Sequence, residues 1–235
     1  MIKAGGLQFE HVHVNFGNDG LPREDGRPSV GDFLEAARCP YTLAPQEFGL
    51  WSIERHEIRD LATIFLQGNY PVTFLRRLTE ATMHIGGETV MDDGRAELKR
   101  HLPIWLAAHG RVLVTGLGLG CVVRGLLVSP LVDHVDVIEI DKGIIKHVGQ
   151  EFANDRRVTI HHGDALAFDG DGTERWDYAW HDLWTDGDEH LQSLHTKLLA
   201  RFHGRVGHQG AWGLPAFIGR LSHARLLGMK RKFRP

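Results

Sequence analysis

Residues 112–127 read VLVTGLGLGCVVRGLL, an apolar run followed by glycines at alternate positions and then by a second apolar run. The first run is typical of a buried β-strand and the second of a helix. Gly116, Gly118 and Gly120 allow a tight turn between them, and without a Cβ they let another molecule approach the backbone. The same pattern is typical of a turn that only packs a helix against a strand, so the surrounding sequence has to decide.

The spacing of the glycines narrows the choice of ligand. A turn that cradles the pyrophosphate of a dinucleotide follows the pattern GxGxxG. Here the third glycine position of that pattern is Cys121. The spacing therefore argues against a dinucleotide.

Strands and helices alternate regularly from residue 111 onwards. The predicted strands are RVLVTG, HVDVIEI, RVTIHHGDA, WDYAWHD and RVGHQGAWG, and the predicted helices are CVVRGLLVS, KGIIKHVGQEFA and HLQSLHTKLLARF. This alternation predicts a Rossmann-like, doubly wound α/β fold with a mostly parallel sheet, whose ligands bind at the carboxyl ends of the strands. Any further antiparallel strand is expected to be absent or to come from the N-terminal third.

The N-terminal third is predicted to be a mixed extension. Ser29 is expected to cap a short helix reaching Arg38, and Ser52 a longer helix ending near Gly68. LQFEHVHVNF, PVTFLRRL and GETVMDDG are predicted strands, and RAELKRHLPIWLAAHG is a predicted helix. The predicted units are an N-terminal extension (1–94), a Rossmann-like domain (95–219) and a basic C-terminal tail (220–235).

Composition limits the class of protein. The chain has 235 residues, of which 42% are hydrophobic and 24% charged, as in ordinary globular domains. Its two cysteines, Cys39 and Cys121, cannot build a disulfide framework and fit a reducing cytoplasm. The start lacks a signal peptide, and residues 112–132 are interrupted by Arg124 and glycines. We therefore expect a cytoplasmic protein without a membrane partner.

Acidic residues follow the second and third strands of the alternating region. Glu139 is placed to accept both hydroxyl hydrogen bonds of a ribose, whereas Asp141 is expected to cap the following helix. In the turn after the third strand, the Asp164 carboxylate and the Ala165 amide are suited to an exocyclic amine and a ring nitrogen, which together would read adenine. An aspartate that only caps its own turn is the plainer alternative.

The fourth strand ends in His181 and Asp182, beside the expected ligand loops. Either side chain is a candidate to orient a nucleophile or to accept its proton. A carboxylate that only holds a loop or the cofactor is equally compatible with the sequence. The tryptophans of this region are candidates for a pocket wall or for core packing: Trp176, Trp180, Trp184 and Trp212.

No metal site is expected from the sixteen histidines, because no matching set of cysteine or carboxylate ligands accompanies them. The histidines that come closest to a ligand set are His11 and His13, predicted on one strand face, and His161, His162 and His181, predicted at strand ends.

The sequence VLVTGLGLG, followed by VIEID, GDA and WDYAWHD, resembles class I S-adenosylmethionine-dependent methyltransferases, and among them the spermidine synthase-like branch. The resemblance covers residues 111–182. It implies that the three glycines line the methionine portion of S-adenosylmethionine, Glu139 the ribose, and Asp164 with Ala165 the adenine.

The chain departs from the polyamine synthases at two places. Those enzymes carry a second aspartate three residues after the position of Asp182, where this chain has Thr185, and a Tyr-His-Glu run that RAELKRHLPIW lacks. Methyl transfer to a small molecule or protein is therefore the favoured function. Aminopropyl transfer and a non-catalytic S-adenosylmethionine-binding protein are the alternatives. A nucleic acid is expected to be an unlikely partner, since the Pro-Pro-aromatic motif of DNA amine methyltransferases is absent, and a homo-oligomer is compatible with the sequence.

Overall fold

The computed structural model describes residues 26–59, 70–183, 191–213 and 218–219. Two sheets organise these residues, a four-stranded sheet in the N-terminal part and a six-stranded sheet after it. The predicted strand LQFEHVHVNF and the basic tail 220–235 lie outside the described residues.

The first sheet is an antiparallel meander of four strands in the order β1-β2-β3-β4. Its strands are β1 (Gln46–Phe48), β2 (Trp51–His56), β3 (Val72–Arg77) and β4 (Glu88–Asp92). The predictions of β3 and β4 are confirmed. The prediction of a helix capped by Ser52 is wrong over residues 51–56, because Ser52 is buried within β2 and opposite Arg76 of β3. Pairing on both sides decides the structure of this segment where local propensity does not.

The second sheet has the order β10-β9-β8-β5-β6-β7. Its strands are β5 (Gly110–Thr115), β6 (Val132–Glu139), β7 (Val158–His162), β8 (Trp176–His181), β9 (Val206–Ala211) and β10 (Ile218–Gly219). Strands β5 to β9 pair in parallel. The Rossmann-like doubly wound fold is therefore confirmed. The chain order reverses between β5 and β8, so a crevice is expected outside their carboxyl ends.

The edge strand β10 corrects one expectation. It pairs antiparallel with β9, with Ile218 opposite Gln209, and it comes from the C-terminal part of the chain. Such a strand was expected to be absent or to come from the N-terminal third. The two paired residues of β10 are too few to produce a strand pattern that sequence reasoning recognises.

Six α-helices lie among the described residues. They are α1 (Val30–Ala36), α2 (Arg95–Arg100), α3 (Leu102–Ala107), α4 (Cys121–Val128), α5 (Lys142–His147) and α6 (Leu191–Phe202). Ser29 caps α1 as predicted, since its hydroxyl accepts from the Asp32 amide and the Asp32 carboxylate accepts from the Ser29 amide.

Two predicted helices are interrupted. RAELKRHLPIWLAAHG breaks at His101 into α2 and α3, because Pro103 has no amide hydrogen and its ring would clash with the carbonyl four residues earlier in a continuous helix. KGIIKHVGQEFA continues beyond α5 only as a 3₁₀ turn over Gly149–Phe152. Helix–strand packing behind the second sheet tolerates both breaks.

The core joins N-terminal residues to the second sheet. Phe33 of α1 stacks on Trp105 of α3 with ring centroids 6.1 Å apart, and both rings are fully buried. The Trp105 indole donates to the Val122 carbonyl at 3.0 Å, and its ring lies directly against Gly125. The proposed units 1–94, 95–219 and 220–235 remain a prediction. None of the helices described is both long and apolar enough to cross a membrane.

We expect Gly125→Ala to destabilise the chain by about 1–3 kcal/mol, because the added Cβ would overlap the Trp105 ring in a close-packed core. The measurement is the free energy of unfolding from urea titration. Gly204→Ala is the matched control, since a Cβ at Gly204 meets nothing within 4 Å. Equal stability of the two variants would show that the helix–helix contact is not close-packed.

Candidate functional site

The glycine turn follows β5 and ends at the start of α4. Gly116, Gly118 and Gly120 have φ angles of 88°, 50° and 81°, a region that favours glycine. A Cβ on Gly116 would overlap the carbonyl oxygen of Asp182, and one on Gly118 would overlap the Met91 sulfur. The chain itself therefore requires the first two glycines, whatever the turn binds.

Glu139 ties this turn to the end of β6. Its carboxylate accepts from the Leu117 amide at 2.7 Å and from the Asp141 amide at 2.8 Å, and the residue is only 7% exposed. Each oxygen makes one of these bonds, so each keeps a lone pair for a further donor. A diol such as a ribose offers two such donors.

Asp164 and Ala165 follow the end of β7. The Asp164 side chain is exposed and accepts from the Leu166 amide at 2.8 Å, whereas Ala165 is buried. The Gly163 amide donates to the Glu139 carbonyl at 2.9 Å, which joins this turn to the end of β6. The structure thus brings the turns after three adjacent parallel strands together, as the sequence predicts.

Asp141 caps α5, which confirms its predicted role. Its Oδ1 accepts from the Gly143 and Ile144 amides at 2.7 and 3.0 Å. Its Oδ2 accepts from the Trp51 indole of β2 at 2.8 Å. Burial opposes ionisation, but these hydrogen bonds outweigh it and lower the pKa of Asp141. The first sheet is therefore held directly against the loop beside Glu139.

His181 is enclosed within the second sheet. Its Nδ1 lies 3.1 Å from the Thr115 hydroxyl and its Nε2 lies 3.1 Å from Oε1 of Gln209. The pattern fits a neutral ring that donates from Nε2 to Gln209 and accepts at Nδ1, and burial lowers the pKa of His181 to about 4. Both ring nitrogens of His181 therefore make contacts within the sheet. The geometry does not support a role for His181 as a catalytic base.

Asp182 lies at the carboxyl end of β8, beside the glycine turn. Its amide donates to the Thr115 carbonyl at 2.8 Å, and its side chain is half-buried. Burial, with a smaller contribution from the negative charge of Glu97, raises the pKa of the Asp182 carboxyl to about 8. A carboxyl group in this state is protonated at neutral pH and accepts a proton only as the pH rises towards 8.

Glu97 of α2 and His101, the residue that follows α2, are two further polar residues that the sequence patterns did not mark. The Glu97 Oε1 accepts from the Trp212 indole at 2.7 Å and lies 3.9 Å from His101 Nε2. His101 is fully buried, and burial lowers its pKa to about 3. The spacing of four residues between Glu97 and His101 places both on one helical face, which is the signal that was available.

Met91 of β4 is a second residue that sequence reasoning missed. Its sulfur accepts from the Leu119 amide at 3.1 Å, in the middle of the glycine turn. Together with Trp51, it makes the first sheet part of the surroundings of the site. No local pattern around Met91 predicts a contact that spans 28 residues of sequence.

The described tryptophans pack in the core, and the described histidines make structural contacts. Trp176, Trp180 and Trp212 are buried in the core, while Trp184 lies outside the described residues. His161 contacts Asp136 at 3.1 Å, and His162 contacts the Ile140 carbonyl at 3.1 Å. His11 and His13 lie outside the described residues. Within the described ranges, no group of three or more metal-ligating side chains is present.

We expect Asp182→Asn to change how stability depends on pH. The folded carboxyl holds its proton up to about pH 8, whereas the unfolded one loses it near 3.8, so the free energy of unfolding of the parent chain falls as pH rises between these values. Asparagine removes this decline. The measurement is urea unfolding from about pH 5 to about pH 8, with Asp133→Asn, an exposed aspartate, as the control. Parallel stability profiles for the parent chain and Asp182→Asn would contradict the raised pKa.

Comparisons with known proteins find partial matches. No family model matches the chain. A segment of 54 residues is 46% identical to ribosomal RNA small subunit methyltransferase A of Nitrosospira multiformis, covering 23% of this chain and 20% of that protein. A segment of 79 residues is 39% identical to the spermidine synthase of Dictyostelium discoideum, covering 33% of this chain and 28% of that protein. The chain therefore spans less than a third of the length of these two relatives.

One of the solved structures that match this chain is a spermidine synthase. The spermidine synthase of Thermotoga maritima matches with a TM-score of 0.46 and 16% identity, over 72% of this chain and 55% of that one.

The matches correct the expectation about nucleic acids. Several relatives are named as ribosomal RNA methyltransferases, so treating a nucleic acid as an unlikely partner is wrong. The chain lacks one motif of DNA amine methyltransferases. That motif concerns one class of DNA enzyme, and its absence carries no information about RNA.

The resemblance predicted from the glycine turn and the acidic strand ends is confirmed in both of its parts. Over part of its length, the chain resembles class I S-adenosylmethionine-dependent methyltransferases and the related spermidine synthases.

Proposed function

We propose that the chain binds S-adenosylmethionine in the crevice at the carboxyl ends of β5, β6 and β7, and that it transfers the methyl group to an acceptor. The observation that carries this proposal is the convergence of three turns: the positive-φ glycines after β5, Glu139 at the end of β6, and Asp164 after β7. The Leu117–Glu139 and Gly163–Glu139 hydrogen bonds join these turns to one another.

The residues present fit the parts of this cofactor. Glu139 keeps an open lone pair on each carboxylate oxygen for the ribose hydroxyls. Asp164 is exposed beside Ala165, which suits the amino group and a ring nitrogen of adenine. In this proposal the methionine portion lies along the backbone of the turn from Gly116 to Gly120, whose three glycines carry no side chain. Ile140, which is 63% exposed next to Glu139, offers an apolar surface to the base.

When bound, S-adenosylmethionine supplies a methyl group already made electrophilic by its sulfonium, so the protein mainly aligns donor and acceptor. We assign Asp182 to the acceptor side, since its backbone carbonyl lies against Gly116 and the pKa of its carboxyl is raised. Its carboxyl hydrogen-bonds the nucleophile in the protonated form and accepts a proton from it in the ionised form. A base is needed only for an acceptor that must lose a proton.

The acceptor is proposed to be a small molecule, a protein side chain or an RNA base. The names of the matched ribosomal RNA methyltransferases add RNA to the set that the sequence favours. A screen for methyl transfer from labelled S-adenosylmethionine should therefore include small-subunit ribosomal RNA alongside proteins and small amines.

Aminopropyl transfer is the second candidate. It is supported by the match to spermidine synthases, one of which, from Solanum lycopersicum, aligns with 68% of this chain at 27% identity. Thr185 and the missing Tyr-His-Glu run weigh against it. Calorimetric titration with S-adenosylmethionine, S-adenosylhomocysteine, decarboxylated S-adenosylmethionine and NAD separates the candidates. Preference for the decarboxylated donor would replace methyl transfer by aminopropyl transfer, and binding of none would refute both.

We expect Glu139→Gln to weaken S-adenosylhomocysteine binding by about tenfold to a hundredfold, the loss of a charged hydrogen-bond acceptor to the ribose. Calorimetry measures the change in Kd. Because the amide also faces the Leu117 and Asp141 amides, the unfolding free energy is measured in parallel. Glu80→Gln, at an exposed glutamate, is the control. An unchanged Kd in a folded Glu139→Gln variant would remove the ribose assignment.

A further inference from the structure

Two cysteines from distant parts of the sequence meet beside the glycine turn. Cys121 is the first residue of α4 and is fully buried, whereas Cys39 lies three residues after the end of α1 and is half-buried. Nη1 of Arg124 lies 3.9 Å from the Cys39 sulfur and 3.8 Å from the Cys121 sulfur. One guanidinium nitrogen therefore contacts both sulfur atoms.

Arg124 is fixed in this position by other contacts. Its Nε and Nη2 donate to the two carboxylate oxygens of Glu151 at 2.8 and 3.1 Å. Nη1 also donates to the Ala37 carbonyl at 3.0 Å, and Nη2 to the Leu119 carbonyl at 2.6 Å. The guanidinium thus joins the end of α1, the glycine turn and the 3₁₀ turn after α5.

The charges around the pair favour redox chemistry over metal binding. Burial opposes the charge of Arg124, but Cys39, Cys121 and Glu151 together raise its pKa, so it remains a cation. A fixed cation in contact with both sulfur atoms repels a metal ion and stabilises a thiolate. Hydrogen bonding to Cys39 and burial hold the pKa of the Cys121 thiol well above its usual range. Cys121 therefore keeps its proton and donates it towards the Cys39 sulfur.

We propose that Cys39 and Cys121 form a reversible intramolecular disulfide that alters the glycine turn. This inference does not rest on the proposed function. A disulfide of this kind is compatible with a reducing compartment, where such bonds are transient and regulatory.

A small peroxide is the oxidant class that fits the site. The Cys39 sulfur attacks one oxygen of hydrogen peroxide, the O–O bond breaks, and the thiol proton passes to the leaving oxygen, which gives a sulfenic acid at Cys39 and water. The Cys121 thiol then attacks the Cys39 sulfur, forming the S–S bond, and a second water leaves with the thiol proton. A surface pocket of about 290 Å³ is lined by Arg124, Glu151 and Phe152, and Arg124 is the residue that it shares with the cysteine pair.

Formation of the bond has a structural consequence for the turn. The Cys39 sulfur lies 4.0 Å from the Leu119 carbonyl, which is also the acceptor of the Arg124 Nη2 hydrogen bond. The two sulfur atoms must come to about 2 Å from each other to form the bond. Cys121 is held within a helix, and the movement falls on Cys39 and on Leu119.

The test begins with the purified full chain treated with hydrogen peroxide. Non-reducing peptide mapping should give one linked species that contains Cys39 and Cys121, with the loss of two hydrogen atoms. The free thiols titrated after denaturation should fall from two per chain to near zero, and dithiothreitol should restore them. Thiols that stay reduced, that oxidise separately to sulfinic acids, or that link two chains would overturn the proposal.

The second readout is amide hydrogen exchange of the peptide that contains residues 116–121, measured in the reduced and linked forms. We expect exchange to increase by about tenfold in the linked form, the size of a typical coupling between sites. Cys39→Ser removes only the half-buried thiol, so it should show the exchange of the reduced chain with or without peroxide. Identical exchange in the reduced and linked forms would overturn the coupling to the turn.

Discussion

The hydrogen bond from the Leu117 amide to the Glu139 carboxylate is the constraint on which the candidate site depends. It connects the turn after β5 to the end of β6, and the second oxygen of the same carboxylate accepts from the Asp141 amide. A buried carboxylate is costly unless its oxygens are paired with donors, so both segments are held where they supply those donors. The positions of the two loops therefore depend on the backbone donors that the Glu139 carboxylate requires.

The polar groups buried within the second sheet follow the same logic. Asp136 is 1% exposed and accepts from Arg111, His161 and Trp176, which come from three different strands. Its pKa is lowered because these donors outweigh the burial that would raise it. His181 is neutral because burial lowers its pKa, and the two side chains that it contacts, Thr115 and Gln209, carry no charge. The pKa of Asp182 shifts in the opposite direction to that of Asp136, because burial raises it.

Much of the second sheet was predictable because strands and helices alternate regularly along it and because β5 is an apolar run that ends at a glycine. The residues at the ends of β5, β6 and β7 then predicted which side chains form the candidate site. The helix cap at Asp141 is confirmed. The failures share a physical cause. Ser52 in β2, the break at His101 and the short strand β10 are decided by pairing partners, a proline ring and an edge, none of which has a periodic signature.

The roles of Met91, Glu97 and Arg124 were also beyond sequence reasoning, since each depends on a partner at least 27 residues away. Met91 contacts Leu119, Glu97 contacts Trp212, and Arg124 contacts Glu151 and the end of α1. Isolated, each of these residues reads as an ordinary member of its own strand or helix. Only the folded chain shows these contacts.

The contacts that Trp51 and Met91 make with the loops of the second sheet have a thermodynamic consequence. Both residues belong to the first sheet, and each satisfies a polar group of the loops around the candidate site. Partial unfolding of the first sheet would leave the Asp141 carboxylate and the Leu119 amide without these partners. Any ligand that requires those loops in order must then stabilise both sheets, so the opening of the N-terminal sheet and the affinity of the crevice are linked quantities.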